Sequence, residues 1–301
     1  MIILFRLPYE KKFAYHYIED NCFDRGSWLY DRIFENDLPV DIAFIGTSHT
    51  MNAVNDSLLS NIIPKDKKMQ IANLGFCWQG YNAEYVILKD LLQSKHPQKV
   101  IIEIREWTEN DNHLIFPYLA DAEDIAGQPY LSKASCISNL YTAALARWEY
   151  FRFGYNKINV NDSLKTSFGF IPNGDTLSLS GAENQILFQE KRFGIGGTHL
   201  NNDVKEFDKF YLNKMIELCN AHHAAIYFLY LPAYGDIRSQ PIDKSFFENY
   251  PILIPDQKIF NTRTYWGNTN HLNDDGATKL TEWLAGSILF EEYNQLITGN
   301  N

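Results

Sequence analysis

Four short runs of β-branched and aliphatic residues punctuate this chain, and the segments between them decide what it can fold into. Val40 to Ile45 (closed by Gly46), Met69 to Asn73 (ending at Gly75), Lys99 to Ile104 and Ile226 to Leu231 are short and almost uniformly apolar. They read as strands buried on both faces, as in a parallel sheet. Helical periodicity fills the intervals. Ala83, Ile87, Leu88, Leu91 and Leu92 form one apolar stripe, with Asn82 placed to cap its start. Val204, Phe207, Tyr211, Met215 and Leu218 form a second, capped by Asp203, and Ala277, Leu280, Leu284 and Ile288 a third, starting near Asp275. Strands alternating with helices predict right-handed crossovers and a three-layer α/β/α domain around a central parallel sheet. Such sheets take ligands at the carboxyl ends of their strands.

This rhythm occupies residues 38–301, and 301 residues with 45% hydrophobic side chains are enough for one such core. Residues 1–37, rich in aromatics, read as a lead-in packed on the main domain, with no chemistry assigned. Residues 110–200 break the alternation and read as an insertion or lid, with a helix from about Ser135 to Tyr150. Its aromatics Trp148, Tyr150, Phe151, Phe153 and Tyr155 fit either a sugar-stacking platform or internal packing. A net charge of −10 is the wrong sign for nucleic acid. Cys22, Cys77, Cys136 and Cys219 form no CxxC pair and no disulfide-dense pattern, so stability is expected from burial and the compartment stays open. The apolar run Ile2 to Phe5 is far shorter than a membrane span or a signal-peptide core. It carries no export address, which favours a cytoplasmic place unless it is the cut end of a longer anchor.

In Gly46-Thr47-Ser48-His49-Thr50 a buried strand runs into glycine and a small hydroxyl residue before a helix-like segment. Ser48 is thereby placed at the ligand edge of the sheet, where N–H groups of the helix start can hold an anion. Alone, such a segment is more often a helix N-cap or a phosphate loop than a catalytic turn, and it needs a partner. A partner is offered by the polar loop Asn268-Thr269-Asn270-His271, whose histidine is free to reach a site from the entry to the last helix. Gly194, Gly196 and Gly197 lack a preceding buried strand and read as a turn. His222 and His223 suit a helix C-terminus and stand at no metal-like spacing. Thr50 in place of a second glycine excludes an α/β-hydrolase nucleophile elbow. No cofactor and no metal are implied.

These segments together resemble the SGNH hydrolase superfamily, the GDSL-type lipases and esterases, and particularly its extracytoplasmic bacterial branch of O-acyl esterase and acyltransferase-like domains. Gly46-Thr47-Ser48 resembles the first block of that family, with its nucleophilic serine. Asn73-Leu74-Gly75 resembles the second, whose glycine N–H lines the oxyanion hole, and Asn268 to His271 the last, where the family carries Asp-x-x-His. The resemblance spans about residues 40–290 and implies an SGNH/flavodoxin-like fold. It makes Ser48 the nucleophile, His271 the general base, Asn268 the residue that orients the ring, and the N–H groups of Ser48 and Gly75 the oxyanion donors. Two departures stand out. Asn268 cannot supply the charge that aspartate gives an imidazolium. The third block, Gly-x-Asn-Asp, has no counterpart in Ile104-Arg105-Glu106-Trp107. Arg105 or a backbone donor is left to replace the missing oxyanion asparagine, unless Arg105 and Glu106 pair structurally. Asp274 and Asp275 are read as caps of the last helix. The expectation is a serine esterase or O-acyltransferase acting on an ester, O-acetyl by preference, of a carbohydrate or cell-envelope glycan, outside the cytoplasm and with any membrane tether missing from this sequence. Its rivals are a glycan-binding or scaffolding domain that keeps the fold without catalysis, and a phosphate-binding loop at Ser48.

Overall fold

The computed structural model describes residues 5, 7–18, 22, 25–63, 69–104, 112–129, 134–157, 167–193, 202–236, 238, 241 and 244–298. Strands β1 (Ile42–Ile45), β2 (Ile71–Asn73), β3 (Lys99–Ile104), β4 (Ala225–Tyr230) and β5 (Ile252–Leu253) form one sheet in the order β2-β1-β3-β4-β5. All neighbouring pairs are parallel, with Phe44 opposite Asn73 and Ile101, and Glu103 opposite Leu229. Helices α1 (Lys11–Tyr17) and α2 (Arg25–Tyr30) precede the sheet, α3 (Ser48–Ala53) and α4 (Asp56–Ile62) join β1 to β2, and α5 (Tyr81–Ser94) joins β2 to β3. Between β3 and β4 lie α6 (Phe116–Leu119), α7 (Ala122–Ala126), α8 (Ala134–Phe153), α9 (Leu179–Phe193) and α10 (Asn202–Ala221). The chain ends with α11 (Gln257–Asn261) and α12 (Asp274–Thr298).

Alternating side chains explain why the sheet is buried on both sides. Ala43 and Ile45, Val100, Ile102 and Ile104, and Ile226, Phe228 and Tyr230 point into a core shared with Leu88 and Leu91 of α5 and Phe207, Tyr211 and Met215 of α10. Ile42 and Phe44, Ile101, and Tyr227 and Leu229 point the other way, onto Leu59 of α4, Ile259 of α11 and Leu280 and Leu284 of α12. Each buried Val, Leu, Ile, Phe or Met among them contributes about 1.5–3 kcal/mol by leaving water. The three-layer α/β/α architecture is therefore written in continuous apolar strand runs and period-3.6 helix stripes together. Strand β5 has only two residues, too few to show any period. The lead-in helices pack in the first core through Tyr15, Trp28 and Leu29.

Several local expectations need correction. Asn82 is not the cap of α5: Gly80 is, and the buried Asn82 carboxamide accepts instead from the N–H groups of Ala83 and His113 at 3.0 and 3.1 Å. The last helix is capped by Asn273, whose Oδ1 accepts from Gly276 N–H at 3.1 Å, while Asp274 turns to the Asn173 N–H at 2.8 Å. Cys22 and Cys77 are joined in a disulfide across 55 residues, a pairing that chain spacing does not reveal and three-dimensional approach does. Gly194, Gly196 and Gly197 lie outside the described residues, as do Arg105 and Glu106 and the side chain of Asp203. Tyr150 packs against Tyr9, Phe13 and Tyr155, whereas Trp148, Phe151 and Phe153 are exposed. His222 and His223 are exposed just beyond the end of α10. Among the described residues, no helix is long and apolar enough to cross a membrane, and no group of three or more His, Cys, Asp or Glu could hold a metal ion.

Candidate active site

From β1 the chain passes to β2 on one side, and from β2 it returns to β3 on the other, so the winding reverses between β1 and β3. The crevice beyond the carboxyl ends of two such strands is where open α/β sheets bind ligands. Gly46, Thr47 and Ser48 follow β1 there, and Glu103 lies at the end of β3. Gly46 is imposed by crowding, because a Cβ at this position would lie 2.3 Å from Thr50 Oγ1 and 2.5 Å from Glu103 Oε2. Thr47 is the N-cap of α3, its hydroxyl accepting from the His49 N–H at 3.1 Å. Ser48 is thus released from capping and becomes the first residue of the helix.

The carboxyl of Glu103 builds this turn from below. Its Oε2 accepts from Thr47 N–H at 2.8 Å, Thr50 N–H at 3.2 Å and Thr50 Oγ1 at 2.6 Å, and its Oε1 accepts from Thr47 Oγ1 at 3.0 Å. Glu103 is buried, and these donors are what makes its burial tolerable. Sequence reasoning passed over it, although a single acid inside the apolar run Lys-Val-Ile-Ile-Glu-Ile was a visible signal.

His271 reaches Ser48 from the loop closed by a bridge between Trp266 and Leu272, just before the start of α12. Its Nε2 lies 2.8 Å from Ser48 Oγ, and its Nδ1 lies 3.0 Å from Asn268 Oδ1. The same Oδ1 accepts the N–H groups of Asn270 and His271, both at 2.9 Å, which identifies it as the amide oxygen. Nδ1 must then carry a hydrogen and donate it, so Nε2 offers its lone pair to the Ser48 O–H. That is the tautomer a general base requires. His49, buried and not foreseen from sequence, sets its ring edge-on to His271 with centroids 5.2 Å apart.

The loop after β2 supplies the other wall. Asn73 is fully buried and its Nδ2 donates to Thr50 O at 2.8 Å and Val54 O at 2.7 Å, stapling α3 to β2. Its Oδ1 accepts the Gly75 N–H at 3.1 Å. Gly75 leaves no space for a side chain, since a Cβ would meet Met51 N and Thr47 O at 2.8 Å. The Gly75 amide therefore lies beside Ser48 with a partner already in place. The Ser48 N–H, by contrast, donates to none of the described residues.

Beneath this loop sits Arg25, from the lead-in to which no chemistry was assigned. It donates through Nε to Gly75 O, through Nη2 to Asn73 O and through Nη1 to Gly169 O, at 2.8, 2.7 and 2.8 Å, and it stacks on Trp28. Burial pulls its guanidinium down to about 9, and Asp56 opposes the shift. Asp56, raised by its own burial against three backbone donors, accepts from Asn73 and Gly169 N–H at 2.9 and 2.8 Å and from Phe170 N–H at 3.1 Å. A little further on, His113 Nδ1 accepts from Ile115 N–H at 3.1 Å, so its Nε2–H donates to Cys77 O at 2.6 Å. Burial pushes the His113 imidazole down to about 4, and this arrangement stays neutral through ordinary pH.

Of the residues singled out from sequence, Ser48, His271 and Asn268 meet in one hydrogen-bonded line, and Gly75 lies against the Ser48 turn. Arg105 lies outside the described residues. No protein-family model matches the sequence, and no curated protein matches it. Among solved structures, the chain is similar to a Bacteroides fragilis NCTC 9343 protein provisionally named as an acylhydrolase, at 13% identity and a TM-score of 0.40, over 87% of this chain and 95% of that one.

Proposed function

We propose that this protein is a serine esterase or O-acyltransferase that cleaves an ester, O-acetyl by preference, of a carbohydrate or cell-envelope glycan. The observation that carries this reading is the line Ser48 Oγ, His271 Nε2 and Nδ1, Asn268 Oδ1, with steps of 2.8 and 3.0 Å. Ser48 Oγ bonds to the acyl carbon while its proton passes to His271 Nε2, and the carbonyl electron pair moves onto oxygen. The adduct collapses by breaking the bond to the alkoxy oxygen, which takes the proton from His271 and leaves as alcohol. Water or a second hydroxyl then attacks the acyl-serine by the same route, giving acid or a new ester and restoring Ser48. The Ser48 N–H supplies one oxyanion donor. The Gly75 N–H serves as a second by sharing its proton between Asn73 Oδ1 and the substrate. Each donor of this kind contributes about 3–4 kcal/mol. The glycan substrate follows from the sequence resemblance, and the Cys22–Cys77 bond supports a place in an oxidising compartment.

A fluorophosphonate probe tests the nucleophile directly. Ser48 Oγ displaces fluoride from phosphorus, and mass spectrometry finds the phosphonyl group on the Ser48 peptide; a protein that stays unlabelled at millimolar probe is not a serine hydrolase. The neutral Asn268 carries a second expectation. It is exposed, so an aspartate there loses little solvation, and a carboxylate accepts the same two backbone N–H groups. Asn268→Asp therefore adds charge where the imidazolium forms and raises kcat by about tenfold or more. A fall in kcat would mean that the neutral amide is part of the working site.

A further inference from the structure

Trp78 has no part in the acyl chemistry, yet the structure holds it at the rim of the site under backbone strain. It stands three residues beyond Gly75, at φ 66°, and is 63% exposed. Bulky aromatic residues seldom adopt left-handed backbone, and such strain persists only where the surroundings enforce it. Here they do. On one side Cys77 is tied to Cys22 by the disulfide, and its carbonyl takes the His113 Nε2–H at 2.6 Å. On the other, Gly80 sits at φ 152°, where a Cβ would come within 2.6 Å of His113 Cβ. In the Trp78-Gln79 pair clamped between them, Trp78 turns its indole to solvent, and burial does not explain why that residue is tryptophan.

Its position gives the explanation. The Phe76 N–H donates to Gly46 O at 2.9 Å, which seats this loop against the residue two before Ser48. Three residues of chain reach at most about 10 Å, so Trp78 stays within one sugar ring or so of Gly75. An exposed indole presents a flat, electron-rich apolar face. The C–H face of a pyranose complements it, being apolar, slightly positive and flat. An anionic ligand fits less well against a chain of net charge −10. Resting on the esterase reading, we propose that Trp78 is the stacking platform for the pyranose ring that bears the ester, and so the residue that selects glycan esters over small ones.

The test compares two esters in three proteins. Vinyl acetate is too small to reach the indole, and O-acetylated xylotetraose offers both ester and ring. Trp78→Asn removes the aromatic face while keeping a residue that tolerates left-handed backbone, so the loop keeps its course. Expected is a loss of tenfold or more in kcat/KM for the acetylated xylotetraose, carried by KM, with vinyl acetate turnover unchanged and Trp78→Tyr recovering most of the loss. Equal losses on both esters would mean that Trp78 merely shapes the loop, and no loss on either would leave it without a role; both outcomes overturn the proposal. If the unaltered protein turns over neither ester, the esterase reading fails by itself, and saturation-transfer NMR with xylotetraose and chitotetraose decides the platform. Binding of either sugar that disappears in Trp78→Asn supports it, and absent binding, or binding that survives the substitution, overturns it.

Discussion

Ser48→Ala lowers turnover of p-nitrophenyl acetate by about a thousandfold or more, and His271→Ala falls to the same floor. The size of the effect follows from the roles proposed for the pair: without Oγ no acyl-serine would form, and without Nε2 the hydroxyl would keep its proton and remain a poor nucleophile. Because the two groups act as one unit, the double variant is expected to be no slower than either single one. The experiment is clean on structural grounds. Thr47, not Ser48, caps α3, and among the described residues the side chain of Ser48 hydrogen-bonds to His271 alone. Ser48→Ala therefore leaves the thermal midpoint within a degree or two while activity disappears. Gly46→Ala would be the wrong control, because its Cβ would collide with Thr50 and Glu103 and the loss could not be separated from misfolding. A Ser48→Ala protein that kept even a tenth of its parent's activity would remove the acyl-enzyme, and an inactive parent that bound glycan would be the scaffold alternative.

What could be read from residues alone was what depends on the apolar pattern. The runs that became β1 to β4 are short and continuously apolar, the sign of burial on both faces, and the stripes of α5, α10 and α12 repeat every three to four residues, the sign of burial on one. Ser48 and His271 were visible as segments because each follows or precedes a strongly patterned element. Their approach, across 223 residues, depends on where the sheet places the ends of its strands. The supports of the site were not visible. Arg25 acts by binding three backbone carbonyls, Asn73 by stapling one carbonyl of α3 and that of its C-cap Val54, and no pattern of residue types encodes which backbone atoms will face a side chain. The capping errors have the same origin: a carboxamide at position 82 and a carboxylate at 274 both had suitable neighbours in sequence, and better ones in space. Glu103 differs, because its signal lay in the strand itself, as a charge that only a set of donors could make affordable.

Breaking the Cys22–Cys77 bond has the largest expected effect on stability. It closes a loop of 55 residues, and the loss of that constraint on the unfolded chain is worth about 4 kcal/mol in the chain-entropy account. The Cys22→Ser, Cys77→Ser double variant should therefore unfold at markedly lower urea, with its slope raised because its unfolded state is freer to expose surface. The same change bears on the site. Cys77 lies two residues beyond Gly75, and with the bond gone the loop keeps its Arg25 contacts to Asn73 and Gly75 but loses the anchor next to Trp78. Vinyl acetate, which uses the acyl site but does not extend to Trp78, should then be processed at nearly the parental rate by the folded fraction, because Arg25 still holds Gly75, while the acetylated oligosaccharide loses ground. Dithiothreitol should reproduce both effects in the unaltered protein and leave the double variant untouched, since Cys136 and Cys219 are buried and in no disulfide. Coincident urea transitions for the oxidised and reduced protein would show that Arg25 and the surrounding core, rather than the covalent link, hold this wall of the site.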